Sequence, residues 1–192
     1  MDFSRNELAS WFARAIAVMA REAERAHEPL VQRRAQTALE ASARATAKPF
    51  EPRAVGAIQY LEPFVGHESP LLSEFAALAP NVPWSPSDRV DGVGDGDRGA
   101  SVALLDLSET LELDLAGAGV MVLGPNAGYP EHCHAPAEVY LILHGSRRWR
   151  FGGSDKYVTV DEGNLLSNAS MDIHGVEPND QPLVALWVLT DE

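Results

Sequence analysis

Histidines at 132, 134 and 174, with Glu138 among them, are the residues whose types and spacing could do chemistry in this chain. Residues two apart on a strand share a face, so His132 and His134 are expected to project together, as are Glu138 and Tyr140 on the next segment. If His174 is brought to the same place, three imidazole nitrogens and one carboxylate oxygen converge. That donor set suits one divalent first-row transition metal, such as iron, zinc or manganese, and the same ligands accept several of them. A lone His-x-His carries little weight, because such pairs often lie exposed or satisfied by hydrogen bonds. Glu138, the apolar run Leu141-Ile142-Leu143 and the later His174 give this one its content.

Four protein ligands leave coordination positions for water or substrate, which is the arrangement of a catalytic centre. A base must then lie within reach, and Tyr140 shares the face of Glu138. An unperturbed tyrosine, with a pKa of about 10, is a poor base at neutral pH, but a neighbouring cation favours the phenolate. Tyr129 is a second candidate, to orient substrate or share the proton. Each has a plainer alternative: Tyr140 as a half-buried sheet residue with a satisfied hydroxyl, Tyr129 as a turn aromatic. His144 reads as peripheral, and His27 and His67 have no partner motif.

Leu8, Trp11, Phe12, Ala15, Ile16, Met19 and Ala20 recur at helical spacing after the capping pattern Ser4-x-x-Glu7. Such a stripe serves core packing or a subunit interface, and a homodimer is one expectation. Pro29 opens a second, alanine-rich helix that should stop before Pro49. A short helical piece with Ala54, Ile58 and Leu61 on one side follows Pro52. Ser69-Pro70 starts another helix, ended by Pro80. From Ser101 the period changes to short apolar runs: 102–105, 111–115, 120–123, 139–143, 147–151, 157–160 and 183–189. Many short strands separated by turns predict an antiparallel barrel or jelly roll. The expected organisation is a helical region over 1–80, a Gly/Pro/Asp-rich linker over 81–100 and a β-rich part with the metal site over 101–192. Asp91, Asp95 and Asp97 in the linker lack the register of an EF-hand loop. Gly117-Ala118-Gly119 lacks the third glycine and following helix of a dinucleotide loop.

The pattern His132-x-His134-x3-Glu138-x6-Gly145 resembles the first metal motif of the cupin family, and Gly163 and His174 stand at the spacing of its second motif. Ala169 replaces the proline of that second motif and Met171 its glycine, while Asn126 stands where the first motif usually begins with glycine. Tyr140 two residues after Glu138, Tyr129 before the histidines and the long helical N-terminus resemble the cupin-type dimethylsulfoniopropionate lyases. The resemblance implies an α+β fold, helices packed on a C-terminal jelly-roll β-barrel, and β-elimination of a cationic sulfonium carboxylate to dimethyl sulfide and acrylate. It also asks for aromatic faces to meet the sulfonium, for which Trp187, Trp149 and Phe151 are the candidates. Other cupin chemistry, dioxygenase or isomerase, and non-enzymatic ligand binding remain alternatives at this point.

The formal charge of −13 argues against nucleic-acid or anionic-membrane partners, since neutralising phosphates requires clustered Lys and Arg. Cys133 is the sole cysteine, so no intrachain disulfide forms; between two histidines it is expected to point into the packing. The start lacks the basic end and apolar run of a signal peptide, and no membrane span is evident, so a cytoplasmic location is expected.

Overall fold

A computed structural model describes residues 3–87, 92 and 101–191. Helix α1 (Phe3–Ala26) leads to α2 (Pro29–Arg44), strand β1 (Thr46–Ala47), a 3-10 stretch over Gly56–Phe64, α3 (Pro70–Leu78) and β2 (Ser85–Pro86). There follow β3 (Val102–Asp106), β4 (Leu111–Glu112), β5 (Gly117–Leu123), β6 (Tyr129–His132), β7 (Ala137–His144) and β8 (Arg147–Arg150). The last strands are β9 (Val158–Val160), β10 (Leu165–Asn168), β11 (His174–Val176) and β12 (Leu183–Thr190). The six-stranded sheet has the order β10-β7-β12-β5-β3-β2 and the four-stranded sheet β6-β11-β8-β9; the ladders are antiparallel throughout.

Why the strands read as unbroken apolar runs follows from the layering. Val139, Leu141 and Leu143 of β7, Val184, Leu186 and Val188 of β12, and Ala118, Val120 and Val122 of β5 join the helices in one core. The alternate residues Tyr140, Ile142, Leu183, Ala185, Met121 and Leu123 face Trp149, Val176, Tyr129 and Val160 of the other sheet in a second core. A sheet covered on both faces has no polar alternation. The expected α+β architecture is present as three layers: helices, six-stranded sheet and four-stranded sheet. No ladder among the described residues joins the two sheets, so the jelly roll is a sandwich whose rim is open.

Helix α1 already includes Ser4, so it begins ahead of the expected cap. Of its expected stripe, Leu8, Trp11, Phe12, Ala15, Ile16 and Met19 are fully buried by the chain's own α2, α3 and sheet, which removes them as a dimer surface, while Ala20 is partly buried and Ala23 takes the next inward position. The 3-10 stretch buries Ala57, Leu61 and Phe64, leaving Ala54 outside it and exposed; a tighter helical period shifts the inward positions. Of the expected linker, residues 88–91 and 93–100, including Asp91, Asp95 and Asp97, lie outside the described residues. No helix among the described residues is long and apolar enough to cross a membrane.

Gly117 and Gly119 belong to β5, and their use is steric. A Cβ at Gly119 would stand 2.2 Å from Leu105 O and 2.2 Å from Trp187 Cζ2, so the indole of Trp187 lies where a side chain would otherwise project. Arg147 points inward from β8 and is 1% exposed. Its guanidinium donates to the carbonyls of Ala127 (2.6 Å), Gly124 (3.1 Å) and Gln181, tying two loops together, and burial pulls its pKa down to about 10.

The cupin-type glycine positions share one backbone conformation whether or not glycine is there. Gly145 and Gly163 have φ of +94° and +81°, and Asn126 and Met171, which replace glycine, have φ of +60° and +65°. The loop geometry is therefore kept, with asparagine tolerating the left-handed region and methionine strained in it. Met171→Gly should raise the unfolding free energy by about 1 kcal/mol, read from urea denaturation of the metal-free protein. Arg147→Leu leaves those carbonyls without donors and should lower it by roughly 3 kcal/mol, read the same way.

Candidate metal centre

The imidazoles come from the rim of the four-stranded sheet. His174 opens β11 directly opposite His132, the last residue of β6, and their ring centroids are 4.1 Å apart. His134 lies just past β6, so the strand pleat does not aim it, contrary to the two-residue periodicity argument. Two other contacts do: its Nδ1 bonds Pro136 O at 2.9 Å, and Met171 N–H donates to its carbonyl at 2.9 Å. The three imidazoles together offer nitrogens within 4.8 Å of one another. Glu138 arrives from the opposite sheet, on β7, with Oε2 3.1 Å from His174 Nε2 and 3.5 Å from His134 Nε2. The site thus straddles the seam of the sandwich.

Tautomers follow from the backbone. His132 Nδ1 meets Pro130 O at 3.0 Å, His134 Nδ1 meets Pro136 O and His174 Nδ1 meets Asp172 O at 2.9 Å. A carbonyl oxygen only accepts, so each Nδ1 carries a proton and each ring turns its Nε2 away from the backbone. The Nε2 of His174 is buried and has no hydrogen-bond partner, although a carboxylate oxygen stands 3.1 Å away. Such a nitrogen and a carboxylate oxygen at that distance repel unless a proton or a metal ion lies between them. Three such nitrogens, their Nδ1–H groups anchored, and one buried carboxylate fit a divalent transition metal by donor type and by their anchoring.

Glu138 is 3% exposed. Burial alone would raise its pKa, but His134 and His174 beside it outweigh that and hold the carboxyl below the usual range. Tyr140, two residues on and 4% exposed, shows the opposite shift: burial, then the charge of Glu138, push its phenol well above the ordinary value. Tyr140 and Glu138 leave the same face of β7, as expected. The Tyr140 ring packs on Trp149 at 5.1 Å and lies 6.5 Å from the His174 ring.

Trp187 stands opposite Tyr140 in the β12–β7 ladder and is partly buried. Trp149 is buried on β8, and one step past the Gly175–Arg150 pair Phe151 comes level with His174. Tyr129 sets its ring against the edge of His132 at 5.1 Å. All four aromatics border the second core below the imidazoles. Two residues fall outside the cluster. Cys133 is exposed, not packed, because β6 has ended before it. His144 sits at the far end of β7, roughly 20 Å along the strand from Glu138, where Nδ1 donates to Glu162 at 3.1 Å and the ring meets Phe64. Sequence reasoning passed over Asn168, which lies across from Glu138 and donates to it; its position in an unremarkable Leu-Leu-Ser-Asn run gave no signal.

The profile of the dimethylsulfoniopropionate (DMSP) lyase family matches residues 23–185. Among solved structures, the DMSP lyase DddQ from Ruegeria pomeroyi DSS-3 aligns with a TM-score of 0.63 at 19% identity, over 77% of this chain and 78% of that one. A structure described with the DMSP lyases RdDddP and RnDddQII gives 0.63 at 20% identity, over 93% and 94% of the two chains. Identities this low speak to a common fold, and no curated protein matches the chain. The family match spans most of the chain and takes in the three imidazoles, Glu138 and both tyrosines. This chain belongs to the DMSP lyase family, whose activity is the cleavage of DMSP.

Proposed function

We propose that the chain is a metal-dependent carbon–sulfur lyase that splits DMSP by β-elimination into dimethyl sulfide and acrylate. His132, His134, Glu138 and His174 would hold one divalent transition ion, iron, zinc or manganese. When bound, the ion supplies positive charge that fixes the substrate carboxylate, acidifies the carbon beside it and offsets Glu138 where it faces the Tyr140 phenol.

The observation that carries this reading is the placement of Tyr140: a buried phenol on the face of Glu138, its ring 6.5 Å from that of His174. Tyr140 is the base. Ionised to the phenolate, it takes the α-proton, the released pair forms the double bond between the α and β carbons, and the bond to sulfur breaks with its electrons on sulfur. Dimethyl sulfide departs neutral, and the tyrosine is left protonated. Tyr129, against His132, orients the substrate and passes the proton on. Trp187 and, beyond it, Trp149 and Phe151 offer ring faces to the sulfonium, each contact contributing about 0.5–2 kcal/mol.

Protein reconstituted with iron, zinc or manganese and given DMSP is expected to release dimethyl sulfide into the headspace, to lose that activity on chelation and to regain it with metal. Turnover by metal-free protein would remove the ion from the mechanism. Tyr140→Phe should cost at least about a hundredfold in kcat, with metal content near that of the unaltered chain. Undiminished turnover in that variant would take Tyr140 out of the base role and leave Tyr129 to be tested by the same substitution.

A further inference from the structure

Asn168 is the last residue of β10 and pairs with Glu138 in the β10–β7 ladder, so their side chains leave the same face of the sheet as direct neighbours. It is 1% exposed. The two ends of an asparagine amide have the same shape, and here the main chain decides between them. Gly152 N–H, which only donates, reaches Asn168 Oδ1 at 3.0 Å. With its oxygen so used, the amide turns its nitrogen to Glu138, and Nδ2 donates to Oε2 at 3.4 Å. This is the same carboxylate oxygen that stands 3.1 Å from His174 Nε2.

A second hold acts from behind. Ser167 Oγ donates to the Glu138 carbonyl at 3.1 Å, and Arg34 of α2 donates through Nη1 to Ser167 Oγ and to the Asn168 carbonyl, the latter at 3.0 Å. Arg34 is 4% exposed and belongs to the helical layer, on the far side of the sheet from the imidazoles' own strands. Its two acceptors bracket the strand position that carries Asn168.

We infer that Asn168 is a positioning residue that orients the Glu138 carboxylate, and that Arg34 fastens Asn168 in place, making α2 part of the support of the metal site. The inference rests on the metal-site reading above. A carboxylate ligand otherwise free to turn about its side-chain torsions is held with one oxygen toward the imidazoles. Removing a hydrogen bond of this kind from a metal ligand weakens metal binding without removing a ligand. A purely structural Asn168 would serve Gly152 N–H alone and would not act through Glu138.

Competition against a chromophoric zinc chelator tests this on Asn168→Leu and Asn168→Ser, each also combined with Glu138→Ala. Folding is checked by circular dichroism, and the serine variant carries the comparison if the leucine variant does not fold. The zinc dissociation constant should rise about tenfold on losing Asn168 but change less than about twofold when Glu138 is already absent. Arg34→Met should show the same dependence on Glu138 with a smaller rise, and cobalt-loaded Asn168 variants should have altered visible absorption. An unchanged dissociation constant in folded Asn168 variants would overturn the inference. So would an equal loss with and without Glu138, which is the signature of a general structural role. If the unaltered chain binds no zinc, cobalt, iron or manganese, it is the metal-site reading itself that fails.

Discussion

A lone pair facing a lone pair is the constraint on which this structure turns. Backbone carbonyls claim the Nδ1 protons of His132, His134 and His174, so any Nε2 left without a proton meets the buried oxygen of Glu138 lone pair to lone pair. In water such repulsion would be relieved by hydration. Beside a His174 that is 1% exposed it is not, and the arrangement is stable only with positive charge at its centre. A proton can provide that charge at the expense of one imidazole's neutrality. A divalent ion provides it to all four groups at once, and the Nδ1 bonds mean that little reorganisation is needed to receive it.

The energy that holds this arrangement comes from elsewhere in the fold. Glu138 belongs to the six-stranded sheet and the imidazoles to the edge of the four-stranded one, so the separation of the two sheets sets the ligand spacing. That separation is maintained by Tyr140, Ile142, Met121, Trp149 and Val176 in the second core and by Arg147 pinning the loops below. The helices matter by the same logic. They cover the outer face of β7 and β12, which allows those strands to be apolar on both sides. A core substitution far from the imidazoles can therefore be felt in the site, because interiors are too closely packed to absorb a shift locally.

Much of the site was legible in the residues themselves. The two-residue period of β7 placed Glu138 and Tyr140 together, and the cupin-like spacing linked His174 to the other histidines across a gap that local periodicity does not bridge. Where periodicity was stretched beyond a strand it failed: β6 stops at His132, which left Cys133 in solvent and His134 to be aimed by hydrogen bonds. The strands β6, β10 and β11 were not visible as apolar runs because they are short and carry polar ligands and their partners. Asn168 and Arg34 were missed for a related reason. Their importance lies in what they face across the sheet, and neither spacing nor composition records a cross-strand neighbour. The glycine positions taught the reverse lesson, since Asn126 and Met171 hold the left-handed conformation that the motif would give to glycine.

Tyr140 and Glu138 pose an electrostatic problem that the proposed base role of the phenol has to meet. Both are buried, they interact, and each would destabilise the ionised form of the other: Glu138 raises the phenol, and a phenolate would raise the carboxyl. Two adjacent anions in a low-dielectric seam are untenable without compensation. Among the described residues the fold contributes histidines to that compensation, while the buried guanidinium groups of Arg34 and Arg147 are engaged with Ser167 and with main-chain carbonyls. Charge brought in from outside must therefore accompany the phenolate. A substrate with a sulfonium at one end and a carboxylate at the other is itself neutral overall, so it cannot balance the pair alone. On the proposed reading, Glu138 stands between Tyr140 and the cation that would allow its phenol to ionise.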